Sequence, residues 1–340
     1  MNYLWIQNNL HPFIIYSLFG TFIGYAVVGI ILAKKRNMSP ANKSIILFVP
    51  LMVPFFAYGV AKVFKININC VLTSVGSTGI KMADSFFLLV CKASSAAAEI
   101  LTPLFLLSIL VAIAKGVISL ITCQRLLLYM VKEDNYQGIE EDKYQEIKED
   151  ISELAMKLGV KVPDLIVTPV KYAQSFTFGW RQPAIVISEG LIASLDREEL
   201  QGVLAHELAH IYYGDNVINW FRVFIRDLIF FSPLAYWGLS KIFFEREKAA
   251  DDLAVRLTEK PYALAQALIK VWRLSPKGSL SNWALDNFSP NPGFLKAKGT
   301  VVQRVERVML ENAVVQSLEK VKLISTLILF TVTALVLVIC

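Results

Sequence analysis

The stretch from Phe13 to Ala33 contains no charged residue and is long enough for one helix to cross a hydrocarbon layer. Such a run demands either a very deep core or lipid, and composition decides for lipid. The chain is 55% hydrophobic with a mean hydropathy of +0.51, where a soluble domain is roughly 45–50% apolar. The excess is clustered before residue 130 and after residue 320. Ser44 to Ala61 is a second run, and its Pro50 and Pro54 are tolerated in membrane helices. Ile100 to Thr122 is a third, interrupted only by Lys115, whose amine can reach the interface. Leu323 to Cys340 is a fourth. The first run is no cleaved signal, because its positive cluster follows it.

The loop charges give an orientation. Lys34, Lys35, Arg36 and Lys43 crowd the first short loop, while no Lys or Arg precedes Phe13. The positive-inside bias puts that loop in the cytoplasm, residues 66–99 outside, and residues 123–321 in the cytoplasm. The expected organisation is therefore a membrane region, 1–122, with spans near 13–33, 44–61 and 100–122. A domain over 123–321 and a C-terminal span over 322–340 follow. The net charge of +6 fits basic residues flanking apolar segments, and no nucleic-acid module is present. The four cysteines, Cys70, Cys91, Cys123 and Cys340, form no CxxC pair. That argues against a cysteine metal site. Cys70 and Cys91 share one loop and stand equally as a disulfide or as two thiols.

Within the middle domain, Tyr144, Ile147, Ile151, Leu154 and Leu158 recur at helical spacing, and Gly159 supplies a stop. Asp164 to Thr168 and Pro183 to Ile187 read as strands, with a short alternating stretch, Ser175 to Gly179, between them. Asp196 and Glu199 form a capping box that opens a helix with Leu200, Val203, Leu204 and Leu208 on its apolar face. The apolar segment 217–239 carries Arg222, Arg226 and Asp227. Those charges favour a helical hairpin against the bilayer or under the domain over a fifth span. A separate helix is expected from Phe243 to Leu257, another over 262–274, and a long loop over 275–299.

The chemistry lies in His206-Glu207-Leu208-Ala209-His210. Residues four apart share one helical face, so both imidazoles can point at one zinc ion. Glu207 adjoins the first of them, placed to take a proton from water and return it to a leaving nitrogen. Two of the chain's three histidines fall at this spacing, and the helix is expected on capping and periodicity alone. His11 reads as an interfacial residue. A catalytic zinc takes a third protein ligand and keeps one position open. No histidine follows His210, so the third ligand is a carboxylate or comes from elsewhere. Glu247 and Asp251 share a helical face and suit the task, with Asp251 accepting the second ring N–H of a ligand histidine. Spacing alone admits Glu245 as well as Glu247.

The pair of segments 206–215 (HELAHIYYGD) and 245–255 (EREKAADDLAV) resembles the gluzincin membrane peptidases. Two branches fit, the BlaR/MecR-type antibiotic-sensor peptidases and the HtpX-like heat-shock and CAAX-prenyl-type proteases. Phe178 to Ile187 and Phe230 to Trp237 lean toward the first. The resemblance covers roughly 140–310 and maps its Glu-x-x-x-Asp form onto Glu247 and Asp251. It implies an α-helical membrane protein with a cytoplasmic α+β zincin-like metallopeptidase domain, in which a small sheet accompanies the HExxH helix and a Glu-bearing helix. One Zn2+ per chain is implied, on His206, His210 and Glu247, with Glu207 as base. The antibiotic sensors carry an extracellular penicillin-binding domain after their last span. The sequence shows none, so β-lactam sensing is not implied.

Further expectations attach to single residues. Ser175, Phe176, Thr177 and Phe178 form a candidate substrate-pairing strand. Asp215 is placed to orient a neighbour at the end of the active helix. Tyr213, Arg304 and Arg307 are candidates for an oxyanion partner. The expected role is an endopeptidase of the bacterial plasma membrane that cuts cytoplasmic or juxtamembrane proteins, most readily in signalling. A quality-control protease of the HtpX-like kind is the alternative. A catalytically idle signalling scaffold has no need of Glu207. A transporter accessory would need facing ionisable groups in the spans, which hold only Lys115. The partners expected are a protein or peptide substrate and the bilayer. Oligomeric state is not legible.

Overall fold

The computed structural model describes residues 3–35, 38–63, 104, 106–118, 121, 139–179, 182–274 and 298–310. The four cysteines, the 323–340 run and the 275–297 stretch lie outside these residues. The chain divides into two compact units. One holds Met1–Ile113, Phe224–Phe243 and Ser317–Cys340, and the other Ala114–Val223 and Phe244–Gln316.

The first unit is built on helices α1 (Tyr3–Lys34) and α2 (Pro40–Val63). Their segments Tyr16–Lys34 and Pro40–Val60 are long and apolar enough to cross a membrane, with mean hydropathies of 1.9 and 1.8. Pro50 and Pro54 lie inside α2. Gly24 of α1 meets Pro50 so closely that an added Cβ would sit 2.9 Å from the proline Cβ. The buried hydroxyls of Ser17 and Thr21 donate to carbonyls one turn back, Phe13 O and Ser17 O, each at 2.7 Å. That pairing satisfies polar groups in a segment with no water to serve them. The third run appears as a shorter apolar helix, α3 (Leu106–Ile118).

The second unit opens with α4 (Glu141–Leu158), closed by Gly159 at φ 67°. Strands β1 (Asp164–Thr168), β2 (Ser175–Phe178) and β3 (Ala184–Ser188) form a sheet of order β1-β3-β2. β1 and β3 run parallel, and β2 and β3 antiparallel. Central β3 is buried at every residue, as a strand covered on both faces must be. Among the described residues β2 is an edge. Short α5 (Glu189–Ser194) leads to α6 (Arg197–Tyr212).

The box that opens α6 is complete. Glu199 N donates to Asp196 Oδ1 and Asp196 N to Glu199 Oε2, both at 2.9 Å. Lys270 also reaches Glu199 Oε2, at 2.6 Å. The sequence suggests one apolar face, but α6 is buried on nearly all sides. Leu200 and every residue from Gly202 to His210 are buried, packed by α4, the sheet and a later helix. Gly202 lets α9 (Pro261–Leu274) approach, since an added Cβ would lie 3.4 Å from Leu264 Cα. Gly214, at φ 67°, turns the chain into α7 (Asp215–Leu228).

The 217–239 segment is divided between two helices, α7 and the start of α8 (Pro233–Thr258). The break expected before Phe243 is absent, and one continuous helix of 26 residues runs from Pro233 through Glu247 and Asp251. Proline opens it at the first helical position, where a missing N–H has no consequence. No proline follows until Pro261, and the helix ends at Thr258 before Glu259 at φ 56°. The last described helix is α10 (Lys298–Leu310).

Candidate metal centre

Helix α6 supplies two imidazoles from one face. His206 Nε2 and His210 Nε2 lie 3.2 Å apart. Glu247 of α8 approaches with Oε2 at 3.6 Å from His206 Nε2 and Oε1 at 3.5 Å from His210 Nε2. Among the described residues these three form the one group of donors close enough to hold a metal ion. Four donors around zinc at 2.0–2.1 Å stand about 3.3 Å from one another. The observed separations match that edge, and two nitrogens with a carboxylate are a donor set zinc takes.

The other ring nitrogens explain the orientation. His206 Nδ1 lies 3.0 Å from Asp251 Oδ1, and His210 Nδ1 lies 2.9 Å from Asp215 Oδ2. A carboxylate behind Nδ1 fixes the proton there and leaves the Nε2 lone pair facing the cluster. Each aspartate is in turn gripped by an arginine. Arg246 donates from Nε and Nη2 to the two oxygens of Asp215 at 2.7 and 2.8 Å. Arg304 does the same to Asp251, both at 2.7 Å.

Burial raises the Asp215 pKa, but the hydrogen bond from His210 and the charge of Arg246 overcome it and bring the group down to about 2. Burial likewise acts against ionised Asp251, and Arg304 with His206 holds it well below the usual carboxylate range. For His210, burial lowers the pKa, yet the Asp215 hydrogen bond and the charges of Glu247, Asp215 and Glu207 raise it to about 9. Arg222 is depressed by burial to about 10 despite Asp215.

Glu207 follows His206 on α6 and is 3% exposed. Ser175 Oγ of β2 donates to its Oε1 at 2.7 Å. Thr177, on the same side of β2, donates to Asn216 Oδ1 at 3.1 Å. Phe176 and Phe178 face the other way, into a small cluster with Ile166 and Val186. Glu245 pairs with Lys248 at 2.7 Å and is not in the donor group.

The three residues expected as oxyanion partners, Tyr213, Arg304 and Arg307, each contact a charged side chain. The guanidinium of Arg246 sits 4.2 Å from the centre of the Tyr213 ring, and burial pushes the Tyr213 hydroxyl up. Arg307 grips Asp252, at 3.0 and 2.9 Å. Arg304 is 3% exposed and reaches Glu247 Oε2 at 2.9 Å as well as Asp251. Sequence reasoning missed the bond from Ser175 to Glu207, for which a lone serine gives no signal. It also missed Arg246, though its place between two acids, Glu245 and Glu247, was a usable signal.

Fold and site together define a mainly helical metal-centre protein whose donors come from two helices, beside a small three-stranded sheet. The chain belongs to the BlaR1 peptidase M56 family, whose model matches residues 13–290. With its two long apolar helices, that membership makes it a membrane protein. It is also similar to proteins named Protease HtpX homolog. The one from Methanopyrus kandleri is 30% identical over 203 residues, covering 46% of this chain and 64% of that protein. The one from Pyrococcus furiosus is 29% identical over 157 residues, covering 36% and 54%. A Protease HtpX of Alcanivorax borkumensis is 28% identical over 139 residues, covering 38% and 47%. The chain thus spans about half to two thirds of the length of these relatives.

Proposed function

We propose that the chain is a membrane-bound zinc metalloendopeptidase acting on cytoplasmic or juxtamembrane proteins, with its metal-centre domain on the cytoplasmic side of a multi-pass arrangement. The observation that carries this reading is the convergence of His206 Nε2, His210 Nε2 and Glu247 within one ion's reach, with Glu207 on the same helix. His206, His210 and Glu247 would hold the zinc, which when bound supplies a Lewis acid beside the scissile carbonyl. Glu207 takes a proton from the attacking water and passes it to the leaving nitrogen. Ser175 fixes the Glu207 carboxylate by its hydrogen bond. Asp215 and Asp251 hold the two imidazoles in register.

Strand β2 supplies a surface for extended substrate. Ser188 N donates to Gln174 O at 3.0 Å. The alternation of an antiparallel ladder then turns the backbone groups of Ser175 and Thr177 toward the side away from β3. A peptide added there runs beside the side chain that touches Glu207.

The biological role we favour is regulatory cleavage in signalling. The relatives named Protease HtpX support a second reading, protein quality control. The test is the purified full chain in detergent, parent against Glu207→Gln. Zinc content should stay equal while cleavage of a casein-like substrate falls at least ~100-fold. Equal cleavage by the two proteins would end the enzyme reading. Proteomics of cells expressing each form would then find the uncut substrate and choose between the two roles.

A further inference from the structure

The two histidines are backed in parallel: His210 by Asp215 and Arg246, His206 by Asp251 and Arg304. The parallel breaks at one point. Arg304 also contacts a candidate ligand. Its Nε and Nη2 span the two oxygens of Asp251, and its remaining Nη1 lies 2.9 Å from Glu247 Oε2. It arrives on α10, an element apart from the two that carry the donors.

We propose that Arg304 is a positioning residue that holds Glu247 to a single donor oxygen. Its charge lies 2.9 Å from Oε2 and draws that oxygen toward the guanidinium, leaving Oε1, 3.5 Å from His210 Nε2, to face the ion. A carboxylate free to offer both oxygens would fill the position that a catalytic zinc keeps for water or substrate. The same guanidinium holds Asp251 against His206, so one side chain sets two of the three ligands. Only a planar fork can do both. A lysine ammonium is a point charge with no fixed directions. This inference rests on the metal-site reading above.

Neighbouring Arg307 provides the control. It lies on the same helix one turn away and grips Asp252, which contributes nothing to the donor group. The experiment is titration of the metal-free full chain in detergent with cobalt(II), read by visible absorption, for the parent, Arg304→Gln, Arg304→Lys and Arg307→Gln. Four-coordinate cobalt absorbs strongly, and five-coordinate cobalt weakly. The parent and Arg307→Gln should show the strong bands. Arg304→Gln should bind cobalt with roughly a twofold or greater loss of absorption per ion, and Arg304→Lys should fall between, which covers the case in which the glutamine variant fails to fold. Spectra of both Arg304 variants that match the parent would overturn the proposal. So would an equal loss in Arg307→Gln, which would assign the effect to helix packing. A parent that binds no stoichiometric cobalt would remove the metal-site reading itself, and this one with it.

Discussion

Ser175 Oγ donates a 2.7 Å hydrogen bond to Glu207 Oε1, so the edge strand and the residue proposed as general base are joined directly. A hydrogen bond to an ionised carboxylate both orients it and stabilises its charge. Ser175→Ala should lower kcat by roughly tenfold with zinc content unchanged. Steady-state kinetics beside metal analysis checks this, and an unaltered kcat would detach Ser175 from the chemistry.

The identity of the third ligand is settled by a pair of substitutions. Glu247 stands in the donor group, whereas Glu245 is held by Lys248. Glu247→Ala should lose most of the bound zinc after dialysis, and Glu245→Ala should retain it. The reverse pattern in elemental analysis would move the ligand to Glu245.

Asp215 is 0% exposed and faces His210, Arg246 and Arg222. Asp215→Asn leaves two buried guanidinium groups short of a counter-charge and His210 without its acceptor. Breaking such a buried pair destabilises by about 3–5 kcal/mol, and loss of the group behind a ligand histidine lowers metal affinity by about 10–100-fold. Thermal unfolding and chelator competition read the two effects separately. A variant as stable as the parent would show that the network does not hold the fold.

Removal of the metal gives a direct linkage measurement. A ligand that binds only the folded state raises its stability by an amount that grows with ligand concentration, about 2.7 kcal/mol at 100 times Kd. Thermal midpoints should fall on chelation and recover with added zinc in the parent. The Glu247→Ala variant should respond far less. Identical responses would mean that the ion binds somewhere else.

Asp196 offers a test remote from the chemistry. Removing a helix N-cap destabilises by about 1 kcal/mol, so Asp196→Ala should lower the midpoint by a few degrees. The activity of the folded fraction should stay as in the parent, because Asp196 touches only the first turn of α6.

Local signals in the sequence carried much of this architecture. The capping box at Asp196, the left-handed stop at Gly159 and the strand bounds near 164–168 and 184–188 depend on adjacent residues, which a linear reading sees. The spacing of His206 and His210 belongs to the same kind, since one helical turn brings them together. What escaped reading is set by contacts between distant segments. The grip of Arg304 on Asp251 and Glu247 spans more than fifty positions, and the Ser175 bond to Glu207 joins a strand to a helix. The join of the 233–242 segment to the Glu247 helix was missed for another reason. Charged residues at 241 and 245 look like a boundary, yet no proline falls between Pro233 and Pro261 and the helix runs on unbroken.

The immersion of α6 has an outcome for sequence variation. A helix with one wet side accepts almost anything along that side, and the outer stripe of α4, with Glu149, Glu153 and Met156, is free to drift. Between Leu200 and His210 only Gln201 has partial access to water. A saturation library across those eleven positions should therefore return a nearly monomorphic set of survivors, even under selection for folded protein alone.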